Sequence, residues 1–331
     1  MNVLVFSDIQ YRNYLRVEST QVNWLDIQLK ATDEVFEVAK ANNIRHIIFN
    51  GDLFEEKNKI NVPLYNKVWN YYRKKAEQGF ELFFNLGNHD MASISGETSL
   101  QPFSEFASVI KVPTNIFVGG IEAFIVPYNY MKDAGVEDPT SSSINEVVLF
   151  LHEEIEGLNF GPMNYTGNPN IKLKDLKSYR LVVNGHIHKP QEVDNVVNVG
   201  ALVQQDFGEA GEDKRIIIIN NDMTVKSIPI NGPKFYPGLE LNKKNIEKVR
   251  EYSTGINFFR FDISEEEVDN SIFDLPNVFY KIVKRKEREF RLKTGLSTND
   301  EIKQYVEEFN KDLDMDRLIK IGKGIIKDAR S

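Results

Sequence analysis

Cysteine is absent from all 331 residues, and histidine is scarce, with five. The first absence excludes disulfides and thiolate ligation, so a bound metal has only nitrogen and oxygen donors available. It also suits a reducing compartment. No apolar run approaches the roughly 20 residues of a membrane span. Met1-Asn2-Val3-Leu4 has neither the basic segment nor the small-residue cleavage site of a signal peptide, so a cytoplasmic chain without membrane contact is expected. Internal repeats and low-complexity tracts are missing as well. The net charge of −8 argues against non-specific attraction to polyanions. It leaves room for phosphate-bearing substrates, because bound cations and a local basic strip act at short range.

What is present is an ordinary globular composition, 41% hydrophobic and 27% charged, long enough for a large core plus a smaller module. Short β-branched and aromatic runs alternate with helical stretches over the first 230 or so residues. Strands are predicted at 2–6, 45–50, 80–85, 115–118, 121–126, 146–151, 180–184, 194–199 and 215–219, and helices at 23–42, 63–78, 99–108 and 172–177. In the first helix Trp24, Ile27, Ala31, Val35 and Val38 recur at three- and four-residue steps, which marks one buried face. This alternation predicts a layered α/β sandwich with its site at one sheet edge.

The turn cluster Asn231-Gly232-Pro233 and Pro237-Gly238 suggests a boundary. Three parts are expected: 1–232, a small αβ module at 233–293, and a helical hairpin at 294–331. The module contains strand-like runs at 256–263 and 278–283, a capping box at Ser264 and Glu267, and the basic stretch 284–293. Two amphipathic helices are expected in the tail, starting at Ser297 and near Asp314.

The chemistry-bearing residues sit where the predicted strands end. Asp8 follows Val3-Leu4-Val5-Phe6, and Asp52 follows Ile47-Ile48-Phe49-Asn50-Gly51. A carboxylate ending a buried strand carries a desolvation cost unless it is hydrogen-bonded, paired or metal-bound. With two oxygens, Asp52 could bridge two cations about 3.5–4 Å apart. Its bland alternative is a turn or N-cap aspartate. Gly87-Asn88-His89-Asp90 offers a neutral oxygen ligand in Asn88, a proton-transfer or phosphate-binding imidazole in His89, and a carboxylate, Asp90, able to orient it. His152 ends the run 147–151, and His186 and His188 alternate on an extended segment, so both imidazoles face one way. His46 stands apart and is read as structural.

Asp8-Ile9-Gln10, Gly51-Asp52-Leu53-Phe54, Gly87-Asn88-His89-Asp90, His152 and Gly185-His186-Ile187-His188 resemble the ordered motifs of the calcineurin-like metallophosphoesterases. The chain is further similar to the SbcD-type (meiotic-recombination-eleven) DNA-repair nucleases, especially their short phage forms. That likeness rests on Arg12-Asn13-Tyr14-x-Arg16, Gln205-Asp206-Phe207-Gly208-Glu209 and the tail around Tyr305-Val306 and Leu318-Ile319. The resemblance implies a four-layer αββα fold, two sheets flanked by helices, with a capping domain and a C-terminal hairpin. It implies two divalent ions, manganese in preference to magnesium. Asp8, Gln10, Asp52 and His188 would hold the first, and Asp52, Asn88, His152 and His186 the second. His89 would be the catalytic histidine, oriented by Asp90. Gln10 departs from the pattern, standing where a histidine is expected, so the first ion should be held less tightly.

The same resemblance implies an exo- and endonucleolytic DNA nuclease that dimerises and binds an SbcC-type coiled-coil ATPase, in the host cytoplasm if phage-encoded. The ATPase contact would fall on Tyr305, Val306, Leu318 and Ile319. Arg12, Arg16, Lys57 and Lys59 follow metal-site motifs and are candidates for DNA phosphates. Trp69, Tyr71, Tyr72 and Phe103 are candidate dimer contacts. The alternatives are a small-molecule phosphodiesterase or phosphatase on the same fold, or a weakly active scaffold because of Gln10.

Overall fold

Fourteen strands of the first 229 residues are, in order, β1 Val3–Phe6, β2 His46–Asn50, β3 Glu81–Asn85, β4 Ser108–Ile110, β5 Thr114–Val118, β6 Ile121–Ile125, β7 Val147–Leu151, β8 Ile155–Glu156, β9 Ile171–Lys172, β10 Leu181–Asn184, β11 Gln191–Val193, β12 Val196–Asn198, β13 Arg215–Ile219 and β14 Val225–Pro229. This computed structural model describes residues 2–15, 22–93, 97–130, 146–161, 171–252, 256–263 and 277–283, together with 297, 300, 303, 304, 317, 320 and 321. Twelve of the strands form two six-stranded sheets, ordered β14-β13-β1-β2-β3-β4 and β11-β12-β10-β7-β6-β5. β1, β2, β3 and β4 run parallel to one another in the first sheet, and β6, β7, β10 and β12 do so in the second.

Strands buried on both faces read as unbroken apolar runs, and β1 and β7 do so. The two-residue period then sorts their side chains. Val3 and Val5 face Val148, Phe150, Val183, Ile217 and Ile219 in the core between the sheets. Leu4 and Phe6 belong to the core shared with helices α1 (Trp24–Ala41) and α2 (Val62–Glu77), which includes Val35, Phe36, Val68 and Tyr72. Both helices begin at an asparagine: Asn23 accepts from Asp26 N (3.4 Å) and Asn61 from Leu64 N (3.1 Å), the capping that unpaired first-turn N–H groups require. The far face of the second sheet is covered by Ile155, Leu176 and Tyr179. Among the described residues that layer carries short β8 and β9 and a 3₁₀ turn at Leu173–Leu176 rather than a long helix.

Three expectations change, the helix predicted at 172–177 being the 3₁₀ turn Leu173–Leu176. The helix predicted at 99–108 is a 3₁₀ turn, Gln101–Glu105, followed by β4. Phe103 anchors that turn in the core while Ser108–Ile110 pairs with β3. Tyr72 and Phe103 are not surface contacts either, being 1% and 0% exposed inside an aromatic cluster with Phe84. Trp69 and Tyr71 are partly buried against the same core.

Grouped by contacts, Met1–Ile263 with Glu267–Lys281 form one unit, and Ser264–Glu266 with Ile282–Ser331 another. The first unit therefore includes a three-stranded sheet of β15 Phe235–Leu239, β16 Phe258–Ile263 and β17 Val278–Ile282, with helix α3 (Lys243–Tyr252) connecting β15 to its parallel neighbour β16. Phe235 and Phe258 stack at 4.8 Å and both meet Trp24 of α1 edge-on, at 6.2 and 5.8 Å. In the second unit, Asp300 N donates to Ser297 Oγ (3.3 Å), and residues 300, 303, 304, 317, 320 and 321 are helical. No helix among the described residues is long and apolar enough to cross a membrane.

Candidate metal centre

Parallel strands of both sheets end at one edge, and that edge collects the polar residues. Asp8 follows β1, Asp52 follows β2, Asn88 follows β3, His152 follows β7 and His186 follows β10. Four of these parallel strands close on a fully buried asparagine: Asn50, Asn85, Asn184 and Asn198. Asn50 Nδ2 donates across the sandwich to the Leu151 carbonyl (2.8 Å), and Asn85 Nδ2 donates to Asn50 Oδ1 (3.0 Å). Asn184 Nδ2 reaches Asn198 Oδ1 (2.9 Å), and Asn198 Nδ2 donates to the Ile187 carbonyl (2.7 Å) between the two site histidines. These amides join the ends of the two sheets where hydrophobic packing alone would let the loops slide. The sequence reading did not single them out, although an asparagine at the end of strand after strand was the available signal.

The loops beyond the strands hold strained backbone. Asp8, Gln10, Asp52 and His186 all have positive φ, at 52°, 47°, 63° and 70°. Such conformations cost about 1–3 kcal/mol each and persist where surrounding contacts over-determine them. Here the Asp8 and Gln10 N–H groups donate to the Gly51 and Asp52 carbonyls, both at 3.0 Å. Two buried glutamines hold the same loop: Gln28 Nε2 donates to the Ile9 carbonyl (2.6 Å), and Gln205 Nε2 to the Asp8 and Ile9 carbonyls (3.3 and 3.2 Å). Glycine is required where side chains converge. A Cβ on Gly51, at φ +98°, would lie 2.1 Å from His152 Nδ1, and one on Gly87 would lie 2.2 Å from Asp52 Oδ1.

Asp52, His152 and His186 place one donor atom each within 4.8 Å of the others. His152 Nδ1 donates to the Asn50 carbonyl (2.7 Å), which leaves Nε2 as the donor atom toward the centre. Nε2 lies 3.4 Å from Asp52 Oδ2 and 3.8 Å from Asp8 Oδ1. Burial would lower the His152 pKa, but the Asp52 and Asp8 carboxylates outweigh it and raise it to about 10. Asp52 is held low by the same pairing, against its burial. Without a metal, the His152 imidazolium thus supplies the positive charge that two buried carboxylates require. Burial and the charge on His152 push the His186 pKa down, toward the neutral form a ligand needs. His186 Nδ1 lies 2.8 Å from Asn88 Oδ1, so the expected second-ion residues Asp52, Asn88, His152 and His186 are brought together.

The residues expected at the first ion are arranged differently. Asp8 is fully buried and its Oδ2 accepts from His186 N (3.2 Å). Gln10 is 2% exposed, and its amide Nε2 faces Asp52 Oδ2 at 3.4 Å. In this pose the nitrogen, not the oxygen, points at the shared carboxylate, so ligation requires the amide to turn over. His188 Nδ1 pairs with Glu209 Oε1 (2.7 Å), and Glu209 Oε2 pairs with Lys214 Nζ (2.7 Å). Burial lowers the His188 pKa, yet Glu209 and Asp8 raise it on balance. The carboxylate held low by Lys214 and His188, to about 2 despite burial, fixes the imidazole through Nδ1 and leaves Nε2 for a ligand role. This gives Glu209, the last residue of Asp206-Phe207-Gly208-Glu209, a positioning function that the sequence alone did not assign.

His89 lies at the same edge: its N–H donates to Asp52 Oδ1 (2.8 Å) and its ring Nδ1 to the Glu55 carbonyl (2.6 Å). The orienting group is therefore the Glu55 carbonyl and not Asp90, as expected from sequence. Asp90 is occupied elsewhere. Its oxygens accept the N–H groups of Asp52 (2.7 Å), Leu53 (2.9 Å) and Gly87 (2.9 Å), tying two motif loops together. Burial and the neighbouring Asp52 push its pKa up, to about 7, against the pull of those donors.

The phosphate-contact expectation also needs correction at Arg12. Its side chain is 0% exposed, bonded through Nη2 to the Gln205 carbonyl (2.9 Å), paired with Glu55 and seated over the Trp24 ring. It braces the loop rather than presenting charge to a substrate. Lys57 and Lys59 are exposed, and Lys57 lines a cleft with Asn88. His46 pairs with Glu81 at the opposite end of β2, in keeping with a structural role. Arg16, Tyr305, Val306, Leu318, Ile319, the capping box at 264–267 and the stretch 284–293 lie outside the described residues.

A divalent ion fits this donor set. Asp8 Oδ1 and His152 Nε2 are buried without a hydrogen-bond partner among the described residues and meet only as an ion pair, which a cation between them would replace. The donors are oxygens and imidazole nitrogens, the mixture suited to manganese, magnesium or zinc rather than soft metals.

A putative phosphoesterase, 244L, of Invertebrate iridescent virus 6 is 22% identical over 220 residues, covering 62% of this chain and 75% of its own length. The solved structure of Yfce, a phosphoesterase from E. coli, covers 70% of this chain and 100% of its own, at 14% identity and a TM-score of 0.34. The model of the calcineurin-like phosphoesterase family matches residues 1–190, and the chain belongs to that family.

Proposed function

We propose that this phosphoesterase is a manganese-dependent phosphodiesterase acting on DNA, as the nuclease subunit of an SbcCD-like repair complex. The observation that carries a hydrolytic reading is the buried pair Asp8 Oδ1 and His152 Nε2, which make no hydrogen bond and meet only as an ion pair within a charged cluster at the sheet edge. Asp8, Gln10, Asp52 and His188 would hold one ion, and Asp52, Asn88, His152 and His186 the other. When bound, two such ions supply Lewis-acid activation of water and charge stabilisation on the phosphoryl group. The chain's own residues do the remaining work. Asp52 presents its two oxygens to different neighbours, as a shared ligand must. The Glu55 carbonyl holds the proton on His89 Nδ1, so Nε2 is the atom that exchanges a proton with substrate.

DNA as substrate is supported by the likeness of the Asp206–Glu209 stretch to that of the SbcD-type nucleases, and by the residues beyond the small β15–β17 sheet, which a stand-alone phosphoesterase has no need of. Incubation of the full chain with labelled duplex and single-stranded DNA and manganese, with and without the ATPase subunit, tests it. Cleavage that disappears in His89→Ala is the expected result, and cleavage that survives it sinks the mechanism.

A second reading, a small-molecule phosphodiesterase, is favoured by one observation. Of the three described cations that follow the first two motifs, Arg12 is buried, leaving only Lys57 and Lys59 for a DNA backbone. Turnover of bis(p-nitrophenyl) phosphate with no DNA cleavage under any condition would establish that reading instead.

A further inference from the structure

A cleft of about 390 Å³ opens beside the metal centre, lined by Lys57, Asn88, Met91, Tyr128, Asn129 and Tyr130 among others. None of the metal or proton-transfer chemistry uses it, apart from Asn88. Two connections tie it to the centre. Asn88 belongs both to the cleft wall and to the donor set, through its 2.8 Å contact with His186. The Tyr128 ring stacks on the His186 imidazole, with centroids 5.7 Å apart and planes 29° from parallel. An occupant of the cleft is therefore adjacent to any phosphate held by the ions.

The cleft wall is built, not incidental. Asn129 sits at φ +70°, the left-handed region that asparagine adopts more readily than other non-glycine residues. Its N–H is held by Glu153 Oε1 at 2.6 Å, and Glu153 is 2% exposed. Glu153 is fixed in turn by Asn184, whose Oδ1 accepts the Glu153 N–H (3.1 Å) and whose Nδ2 donates to the Glu153 carbonyl (3.0 Å). The adjacent Tyr128 N–H donates to the Leu86 carbonyl (2.9 Å). A strand-end asparagine thus sets the metal edge and the Tyr128–Tyr130 wall together.

The lining chemistry indicates the occupant. Two tyrosines and a methionine offer flat, polarisable surface, Asn88 and Asn129 offer amide edges, and exposed Lys57 stands at the rim. The volume is at the lower end of small-ligand pockets and suits one nucleotide unit, not a duplex. We propose that this cleft is a subsite that stacks the base next to the scissile phosphate, with Tyr130 and Met91 as the stacking surface and Lys57 meeting the adjoining phosphate. The proposal rests on the phosphodiesterase reading for its substrate, but its binding step can be measured without turnover.

The probe is 2-aminopurine riboside 5′-monophosphate, whose fluorescence falls when its base stacks on an aromatic ring, added to the full chain with manganese. Saturable quenching is expected for the native protein and for Tyr130→Phe, which keeps the ring. Tyr130→Leu, which keeps apolar bulk for the packing behind it, should bind about tenfold more weakly, the usual effect of removing one stacking partner. Met91→Ala should weaken binding in the same direction and serves if Tyr130→Leu does not fold. Ribose 5-phosphate should compete at least about tenfold less well than the nucleotide. Binding without quenching, equal binding by both variants, or equal competition by ribose 5-phosphate overturns the subsite.

A parallel assay compares the p-nitrophenyl ester of thymidine 5′-monophosphate with methyl p-nitrophenyl phosphate. Tyr130→Leu should raise KM about tenfold for the nucleoside ester alone, with kcat and the methyl ester unaffected. An equal effect on both esters overturns the subsite. If neither ester is hydrolysed while base-dependent quenching remains, the phosphodiesterase reading fails and the subsite stands.

Discussion

The two halves of the proposed metal edge differ in how the residues assigned to each ion are held. On the second-ion side, His152 leans on a main-chain carbonyl, and Asp52, His152 and His186 already converge within 4.8 Å. On the first-ion side, His188 is held by a carboxylate that itself depends on Lys214, and Gln10 turns its amide nitrogen toward Asp52. The His152 ring is oriented by backbone that no substitution removes. The His188 ring is oriented by side chains, and each of those is a point at which affinity can be adjusted or lost. If the two proposed sites share Asp52, this difference in support predicts different affinities for their ions.

Asp52 is the residue that joins them, so Asp52→Asn should collapse the comparison altogether. Loss of both ions and a fall in phosphodiester turnover of about a thousandfold are expected, read by metal analysis of the dialysed protein and by steady-state rates. Retention of one tightly bound ion would show that the halves do not depend on Asp52 in common. Glu209→Gln separates them. Removing the charge that orients His188 should weaken the first ion by about 10–100-fold and leave the second unchanged, the usual cost of losing an outer partner of a ligating histidine. Titration calorimetry resolving two binding steps checks this. Equal weakening of both steps would assign Glu209 to general stability.

Proton linkage sharpens the same contrast on the second-ion side. Asp52 and Asp8 raise the His152 pKa from 6.5 to about 10 in the metal-free protein. Stability from this imidazolium is fully present below about pH 6.5, where the unfolded chain is also protonated, and is lost as pH rises through about 10. A ligand must be neutral, so binding the second ion below pH 10 displaces that proton. Its apparent affinity should fall about tenfold for each pH unit lowered between 9 and 7. Calorimetry in two buffers of different ionisation enthalpy should report close to one proton released. A pH-independent affinity would place the proton elsewhere.

How far the sequence carried this structure depended on whether a property was local. Val147–Leu151 reads as a strand because a parallel strand covered on both faces has nothing but apolar residues, and the polar residue ending it stands out. The family's α/β architecture and the motif residues were legible for that reason. Helix α3 was missed because its buried stripe reduces to Val249 and a partly covered Ile246 among lysines and glutamates. Residues 99–108 carry apolar spacing that suits a helix, yet the chain uses Phe103 as a plug and spends Ser108–Ile110 on pairing with β3. Roles set by distant loops were invisible. Asp90 serves Leu53 from 37 positions away, His188 finds Glu209 21 positions on, and Arg12 is buried because Trp24, Glu55 and Gln205 enclose it.

Gln10 is where the contrast between the halves can be reversed with one change. Gln10→His places an imidazole on the first-ion side, at a backbone of φ 47° already held by its N–H bond to the Asp52 carbonyl. An imidazole nitrogen is a better donor than an amide and needs no turnover of a hydrogen-bonded side chain. Affinity for the first ion should rise severalfold, and turnover at low manganese should rise with it while turnover at saturating manganese changes little. That pattern would mean the native glutamine sets metal demand and not catalytic competence. Unchanged affinity with unchanged activity would mean Gln10 is not a ligand at all, and that its contact with Asp52 is its whole role.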